Sequence, residues 1–231
     1  MKVKASLHLH AREDFKDGKK IAYSFFQLID RAQELNFKVL AFTGHEKMVC
    51  LPEHLEYGKE RGILVIPGVE ALVDGKHILI LNCDQSADKI KSFKGLEEYR
   101  NNHPEIFIIA PHPNHGFLVS LGLGKLQKHR YLFDAVEHSW YYSNFFNPNR
   151  AVIKKALKLD LPILATADLH YLGYLATDYL EVEVPHLTTV DFFQAIRLGK
   201  YKNITVPKTL WEMFFYQLKF IFGDYFFRFR K

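Results

Sequence analysis

Short runs of valine, isoleucine and leucine recur along the chain between longer amphipathic segments, and most of these runs end on a histidine or a carboxylate. A short apolar run reads as a strand covered on both faces, and helical periodicity between such runs reads as the covering helices of a βα repeat. The spacing predicts strands over Val3–His10, Lys38–His45, Ile63–Val69, His77–Asn82, Phe107–Pro113, Asp134–Glu137 and Pro162–Asp168. It predicts helices over Ile21–Leu35, Pro52–Arg61, Asp88–Asn101, Pro148–Leu159 and Val190–Gly199, several followed by a Gly or Asn that stops a helix. With 231 residues, 48% of them hydrophobic, the chain has material for one well-buried core and too little for two enzymatic domains. The expected fold class is α/β, either a small barrel or an open doubly wound sheet.

In parallel α/β architectures the carboxyl ends of the strands converge on one face, and active sites are built there. His8 and His10 close the first run, His45 the second, Glu70 the third, His112 the fifth, and Asp168 with His170 the last. In Ser6-Leu7-His8-Leu9-His10 polar and apolar residues alternate, so the two imidazoles share one side of a strand, as chelation requires. Asp168-Leu169-His170 repeats that spacing after an apolar run. Taken singly, each of these groups also reads as an ordinary solvated or hydrogen-bonded residue. Their joint placement is the signal. Cys50 and Cys83 are too few for a disulfide framework or a four-cysteine zinc site, so a metal would be held by His, Asp and Glu, in a catalytic and partly open site.

The formal net charge of +5 favours acidic partners such as phosphate esters, nucleic acid or anionic lipid. Lysines and arginines such as Lys125, Lys128, Arg130, Lys154, Lys155 and Lys158 read as solvated helix residues, and no RNA-binding signature of aromatic and basic residues is present. Nucleic acid therefore enters only as a substrate class. Met1–Asp14 carries charges and histidines where a secretion signal needs an apolar stretch, so a cytoplasmic location is expected. Residues 208–231 form an aromatic, basic tail after a 1–207 catalytic domain. Glu212, Lys219 and Asp224 interrupt the tail, which leaves it short of a membrane span. Its open readings are a helix packed on the barrel, a self-association contact, or peripheral membrane contact ending in Arg228-Phe229-Arg230-Lys231.

His8-Leu9-His10, Asp17-Gly18, Thr43-Gly44-His45, Pro67-Gly68-Val69-Glu70, His77-Ile78-Leu79, Pro111-His112-Pro113 and Ala167-Asp168-Leu169-His170, in this order, resemble the PHP (polymerase and histidinol phosphatase) family from about Val3 to Lys200. The resemblance implies a distorted (β/α)7 barrel with two or three divalent ions (zinc, manganese or iron) at the carboxyl ends of its strands, hydrolysing a phosphorylated substrate. The metal-ligand candidates it carries over are His8, His10, Asp17, His45, Glu70, His77, His112, Asp168 and His170, with Glu70 bridging two ions. His112 and Glu70 are also catalytic candidates, and His115 is a candidate to contact phosphate or protonate the leaving group. Glu137 and Asp14 form a second tier, Asp14 being the rival to Asp17, which is favoured because Gly18 follows it.

Two departures stand out. The family usually has Asp where this chain has Ser6, and Thr-Asp-His where it has Thr43-Gly44-His45. Carboxylates at such positions orient ligating imidazoles, and losing one costs about 10- to 100-fold in affinity or activity. The expected function is hydrolysis of a phosphomonoester or phosphodiester, a nucleotide or short oligonucleotide included, by metal-activated hydroxide. The alternative is a weakened metal-binding regulatory or membrane-associated module.

Overall fold

Apolar residues at alternating positions of the strands face two ways, and this divides the core. Val3, Ala5, Leu7, Val39, Ala41, Ile66, Leu79, Ile109 and Leu164 pack together inside the sheet with Phe192, Phe193 and Ile196, while Leu40, Phe42 and Val65 pack outward with Phe25, Leu28 and Ile29. A computed structural model describes residues 1–116 and 118–222, side chains of 219–222 excepted. Among these residues one sheet runs through nine strands: β1 (Lys2–Leu9), β2 (Phe37–His45), β3 (Leu64–Val73), β4 (Lys76–Leu81), β5 (Phe107–Ala110), β6 (Ala135–Ser139), β7 (Ile163–Thr166), β8 (Tyr179–Glu183) and β9 (Tyr201–Ile204). Their order is β7-β6-β5-β4-β3-β2-β1-β8-β9. The helices are α1 (Phe25–Glu34), α2 (Pro52–Glu60), α3 (Phe93–Asn102), α4 (Leu123–Lys128), α5 (Asn149–Lys158), α6 (Thr189–Arg197) and α7 (Leu210–Phe222).

The sheet is a nearly closed α/β barrel, and side chains complete the seam. Asn203 of β9 accepts from the Ala165 amide (2.7 Å) and donates to the Ile163 carbonyl (2.8 Å), substituting for backbone pairing with β7. At the other end of that seam the chain after β7 pairs with β1, through His10 N to Leu169 O (3.2 Å) and Leu169 N to His8 O (3.1 Å).

Several details differ from the sequence reading. Strands β8 and β9 were not predicted, because Tyr179–Glu183 and Tyr201–Ile204 carry charged or polar residues at outward positions and lack a continuous apolar run. Not every strand is parallel: β4 runs antiparallel to both β3 and β5, and β8 antiparallel to β1 and β9. The helix predicted over Asp88–Asn101 begins only at Phe93, because the Ser92 side chain accepts from the Gly95 amide and caps it there. Ahead of α7, Thr209 and Glu212 cap each other's amides. Leu210, Trp211, Phe214 and Phe215 on that helix are exposed, whereas Met213 is buried. No helix among the described residues is long and apolar enough to cross a membrane. Arg228–Lys231 lie outside the described residues.

Candidate metal centre

The site starts with a fault in β1. Its pairing with β2 shifts register between Ser6 and Leu9. Across the shift Leu7 belongs to the barrel interior while Leu9 packs outward with Ala11, which leaves His8 and His10 turned into the mouth of the barrel. A bulge re-aiming side chains beside a site is a recurrent use of this distortion. The two rings lie 5.0 Å apart, centroid to centroid. His45 ends β2 and is registered against Glu70 of β3. His77 opens the antiparallel β4 opposite Leu72, so the start of β4 lies beside the far end of β3 and the imidazole joins the same face. His112 and Asp168 follow β5 and β7 with φ of 27° and 41°, a region that costs a non-glycine residue about 1–3 kcal/mol and is concentrated at functional sites.

Glu70 is the centre of the cluster. Its Oε1 lies 2.7 Å from His77 Nδ1 and 3.1 Å from His112 Nε2, and its Oε2 lies 3.1 Å from His45 Nε2, 3.3 Å from His8 Nε2 and 3.5 Å from His10 Nε2. Burial alone would raise its pKa, but the imidazoles of His77, His8 and His45 overcome burial and hold this carboxyl well below its usual range. Asp168 adds a second carboxylate, 3.5 Å from His8 Nε2 and 3.4 Å from His10 Nε2. His170 stacks on His10 at 4.5 Å, and burial together with the nearby His10 lowers its pKa to about 4, so it is neutral at physiological pH.

Behind these groups stand two buried carboxylates. Glu137 Oε2 accepts from His8 Nδ1 (2.9 Å). Asp14 Oδ2 accepts from His10 Nδ1 (2.8 Å), His45 Nδ1 (2.9 Å) and the His45 amide (2.9 Å). Each fixes a tautomer that turns Nε2 toward Glu70 and Asp168. Asp17, by contrast, lines the cavity with its Oδ2 3.8 Å from His170 Nε2 and its Oδ1 bound to Lys20 Nζ (2.8 Å). Gly18 after it is required because a Cβ there would meet the Arg12 carbonyl at 2.3 Å. Asp14 and Asp17 are thus brought to different places, one behind the imidazoles and one at the cavity wall. Sequence spacing alone could not separate them, since the turn at 14–18 is held by Asp14 Oδ1 accepting from the Lys16 and Asp17 amides. Gly44 has a steric reason too: a Cβ would lie 2.6 Å from Val49 Cγ2 and 3.0 Å from the Lys47 carbonyl.

His115 lines the same cavity and its Nε2 donates to the Tyr141 carbonyl at 3.1 Å. Burial, with His112 beside it, lowers its pKa. Of the neighbouring pair on β6, Glu137 faces the cluster and His138 packs against Tyr142. The sequence reading did not name Trp140, Tyr141 or Tyr216 as site residues, and they also line the cavity.

Three overlapping sets of donors, His10/His45/His170, His8/His10/Asp168 and His45/Glu70/His77, each bring their ligand atoms within 4.8 Å of one another. Buried His8 Nε2, His10 Nε2 and Glu70 Oε2 make no hydrogen bond. A buried polar atom left in that state costs about 1–3 kcal/mol, so three converging on one point describe a site built for a cation. The nitrogen and oxygen donor chemistry fits divalent zinc, manganese or iron.

A family model described as PHP domain matches residues 6–141. No curated protein matches the chain by sequence. In three dimensions the chain is similar to a two-domain protein from Bacteroides vulgatus ATCC 8482 described as containing a predicted PHP-like metal-dependent phosphoesterase, with a TM-score of 0.65 and 14% identity over 89% of this chain and 65% of that one. It is also similar to PsfC from Pseudomonas syringae PB-5123 (TM-score 0.64, 13% identity, 94% and 98% covered). A third likeness is to the lesion-specific endonuclease PfuEndoQ from Pyrococcus furiosus (TM-score 0.62, 15% identity, 88% and 58% covered). The chain spans 65% of the length of the first of these structures and 58% of the endonuclease. At such identities the likeness is one of fold.

Proposed function

The chain belongs to the PHP domain family, and from that premise we propose that it hydrolyses a phosphomonoester or phosphodiester with two or three divalent ions held at the mouth of the barrel. The observation that carries this reading is the convergence of unsatisfied, buried His8 Nε2, His10 Nε2 and Glu70 Oε2 on one point. His8, His10 and Asp168 would hold one ion and His45, Glu70 and His77 another, with His170, whose donor set overlaps both through His10 and His45, beside them and His112 and Asp17 at the edge. When bound, such ions supply Lewis acidity at the phosphoryl oxygen and a lowered pKa for water, so no protein nucleophile is needed.

The chain's own part is positioning. Glu137 and Asp14 hold the three imidazoles in the tautomer that offers Nε2 inward. His115, its Nε2 tied to the Tyr141 carbonyl, lines the cavity beside the cluster. The reading of a weakened module rested on Ser6 and Gly44, and the carboxylates of Glu137 and Asp14 reach the same imidazoles from other elements, which favours a working centre. The test is hydrolysis of aryl phosphomonoesters and phosphodiesters by protein stripped with a chelator and then given zinc, manganese or iron. Turnover restored by metal in the wild type and absent in His8→Ala/His10→Ala is expected, and turnover independent of both would end the proposal.

A further inference from the structure

The cavity above the cluster has a volume of about 300 Å³, and its walls are unlike its floor. The floor is imidazole and carboxylate. One wall is aromatic: Trp140 and Tyr141 follow β6, and Tyr216 comes from α7, outside the part of the chain that matches the family model. Tyr216 packs on Trp140 at 4.3 Å between ring centroids and meets Tyr171 edge-on at 5.0 Å, while Trp140 lies 5.6 Å from Tyr174. The wall is anchored from behind. Lys208, ahead of α7, donates to Asp178 Oδ2 (2.7 Å) and to the Val206 carbonyl (2.7 Å), both Lys208 and Asp178 being buried, and its ammonium lies over the Trp140 and Tyr174 rings. No lysine or arginine among the described residues lines the cavity.

We propose that this wall is the specificity element of the site and that the ester group it accepts is a small planar aromatic ring, so that the substrate is an aryl or heteroaryl ester of a single phosphate. The inference rests on the phosphoesterase reading and narrows it. Indole and phenol rings offer apolar faces and edges that select a flat π-system over an alkyl chain of similar size. A polyphosphate or a long nucleic-acid track would need cationic side chains along the wall, and the lining among the described residues provides none. The volume suits one ring beside one phosphate. Because Tyr216 belongs to α7, the segment after the barrel acts in this account as a wall of the site.

The test uses full-length, manganese-loaded protein in a Trp211→Phe background, which leaves Trp140 the single tryptophan because the chain has two. Non-hydrolysable phenylphosphonate and methylphosphonate are titrated, with Trp140 fluorescence and calorimetry as readouts. Phenylphosphonate is expected to quench Trp140 and to bind at least about 10-fold tighter than methylphosphonate. Tyr216→Ala should remove most of that preference at unchanged metal content, and Tyr216→Phe should keep it. Equal affinity for the two probes in the parent protein, binding of neither, or a preference that survives Tyr216→Ala overturns the proposal. If the preference holds while no ester is turned over, the ring site stands and the hydrolase reading fails; turnover without the preference fails the ring site alone.

Discussion

The Nδ1 of His8 lies 2.9 Å from Oε2 of Glu137, a contact between residues 129 positions apart with neither side chain exposed. It points the opposite nitrogen of His8 at Glu70 and Asp168. Replacing Glu137 by Gln keeps the shape and removes the charge. Metal affinity should fall about 10- to 100-fold, as for other carboxylates supporting a ligating imidazole. Competition against a chromogenic chelator measures it, and an unchanged affinity would remove Glu137 from the account.

Asp14 supports two imidazoles at once and Asp17 supports neither. Asp14→Asn should therefore weaken metal uptake by about 10- to 100-fold or more, since His10 and His45 belong to all three donor sets between them. Asp17→Asn should have the smaller effect, confined to the ion nearest His170. The two variants compared by elemental analysis after dialysis at a fixed free-metal level give the ranking.

Metal uptake should release protons. Burial disfavours the charged form of His10, but the Asp14 carboxylate bonded to its Nδ1 and the Asp168 carboxylate near its Nε2 outweigh burial and raise its pKa to about 9 in the metal-free protein. Carboxylates likewise hold His8 well above the ordinary value of 6.5 against the effect of burial. An ion must displace these protons, so affinity rises with pH up to about 9, and calorimetry at pH 7.5 in buffers of different ionisation enthalpy should report release of at least one proton per chain. The sign for stability is opposite. A pKa raised from 6.5 stabilises the metal-free fold fully below that pH and ceases to do so as pH rises through about 9. Metal-free thermal unfolding should fall over that interval, and the metal-loaded protein should not follow it.

Restoring the family's usual aspartate at Gly44 should harm the protein. A Cβ there meets Val49 Cγ2 at 2.6 Å and the Lys47 carbonyl at 3.0 Å. Gly44→Asp should cost about 1–3 kcal/mol by overpacking, with no gain in turnover. Chemical denaturation measures the first and a phosphoester assay the second.

Asn203 closes the barrel with two hydrogen bonds to the β7 backbone. Asn203→Ala leaves the Ala165 amide and Ile163 carbonyl without that partner and should cost about 1–3 kcal/mol. Hydrogen exchange at Ala165 should rise selectively, and unchanged protection there would contradict this role.

The α/β class was legible in the sequence because buried strands announce themselves as apolar runs, and the helices between them have periodicity and caps; the apolar runs fit an open sheet as well, and the barrel came from the motif resemblance. Strands β8 and β9 were not legible, since strands near the seam can carry Glu181, Glu183 and Lys202 on their outer face. Most of the cluster could be read from His8 to His170 because His8, His10, His45, His112 and Asp168 stand at or just after the carboxyl ends of strands, whereas Asp17 lies in a turn well past β1 and His77 at the start of β4. Distinguishing Asp14 from Asp17 needed the fold of one turn, and Glu137 needed the facing of β6, neither of which has a signature in residue order. Tyr216 was invisible as a site residue because its approach depends on where α7 packs, which Lys208 and Asp178 decide across 30 positions of chain.

Diffraction from crystals grown with manganese or zinc, recorded above the metal's absorption edge, tests the central claim most directly. The account predicts two or three anomalous peaks enclosed by His8, His10, His45, Glu70, His77, Asp168 and His170, with Glu70 touching more than one. A fully occupied anomalous peak elsewhere on the chain with none in this cluster would contradict it.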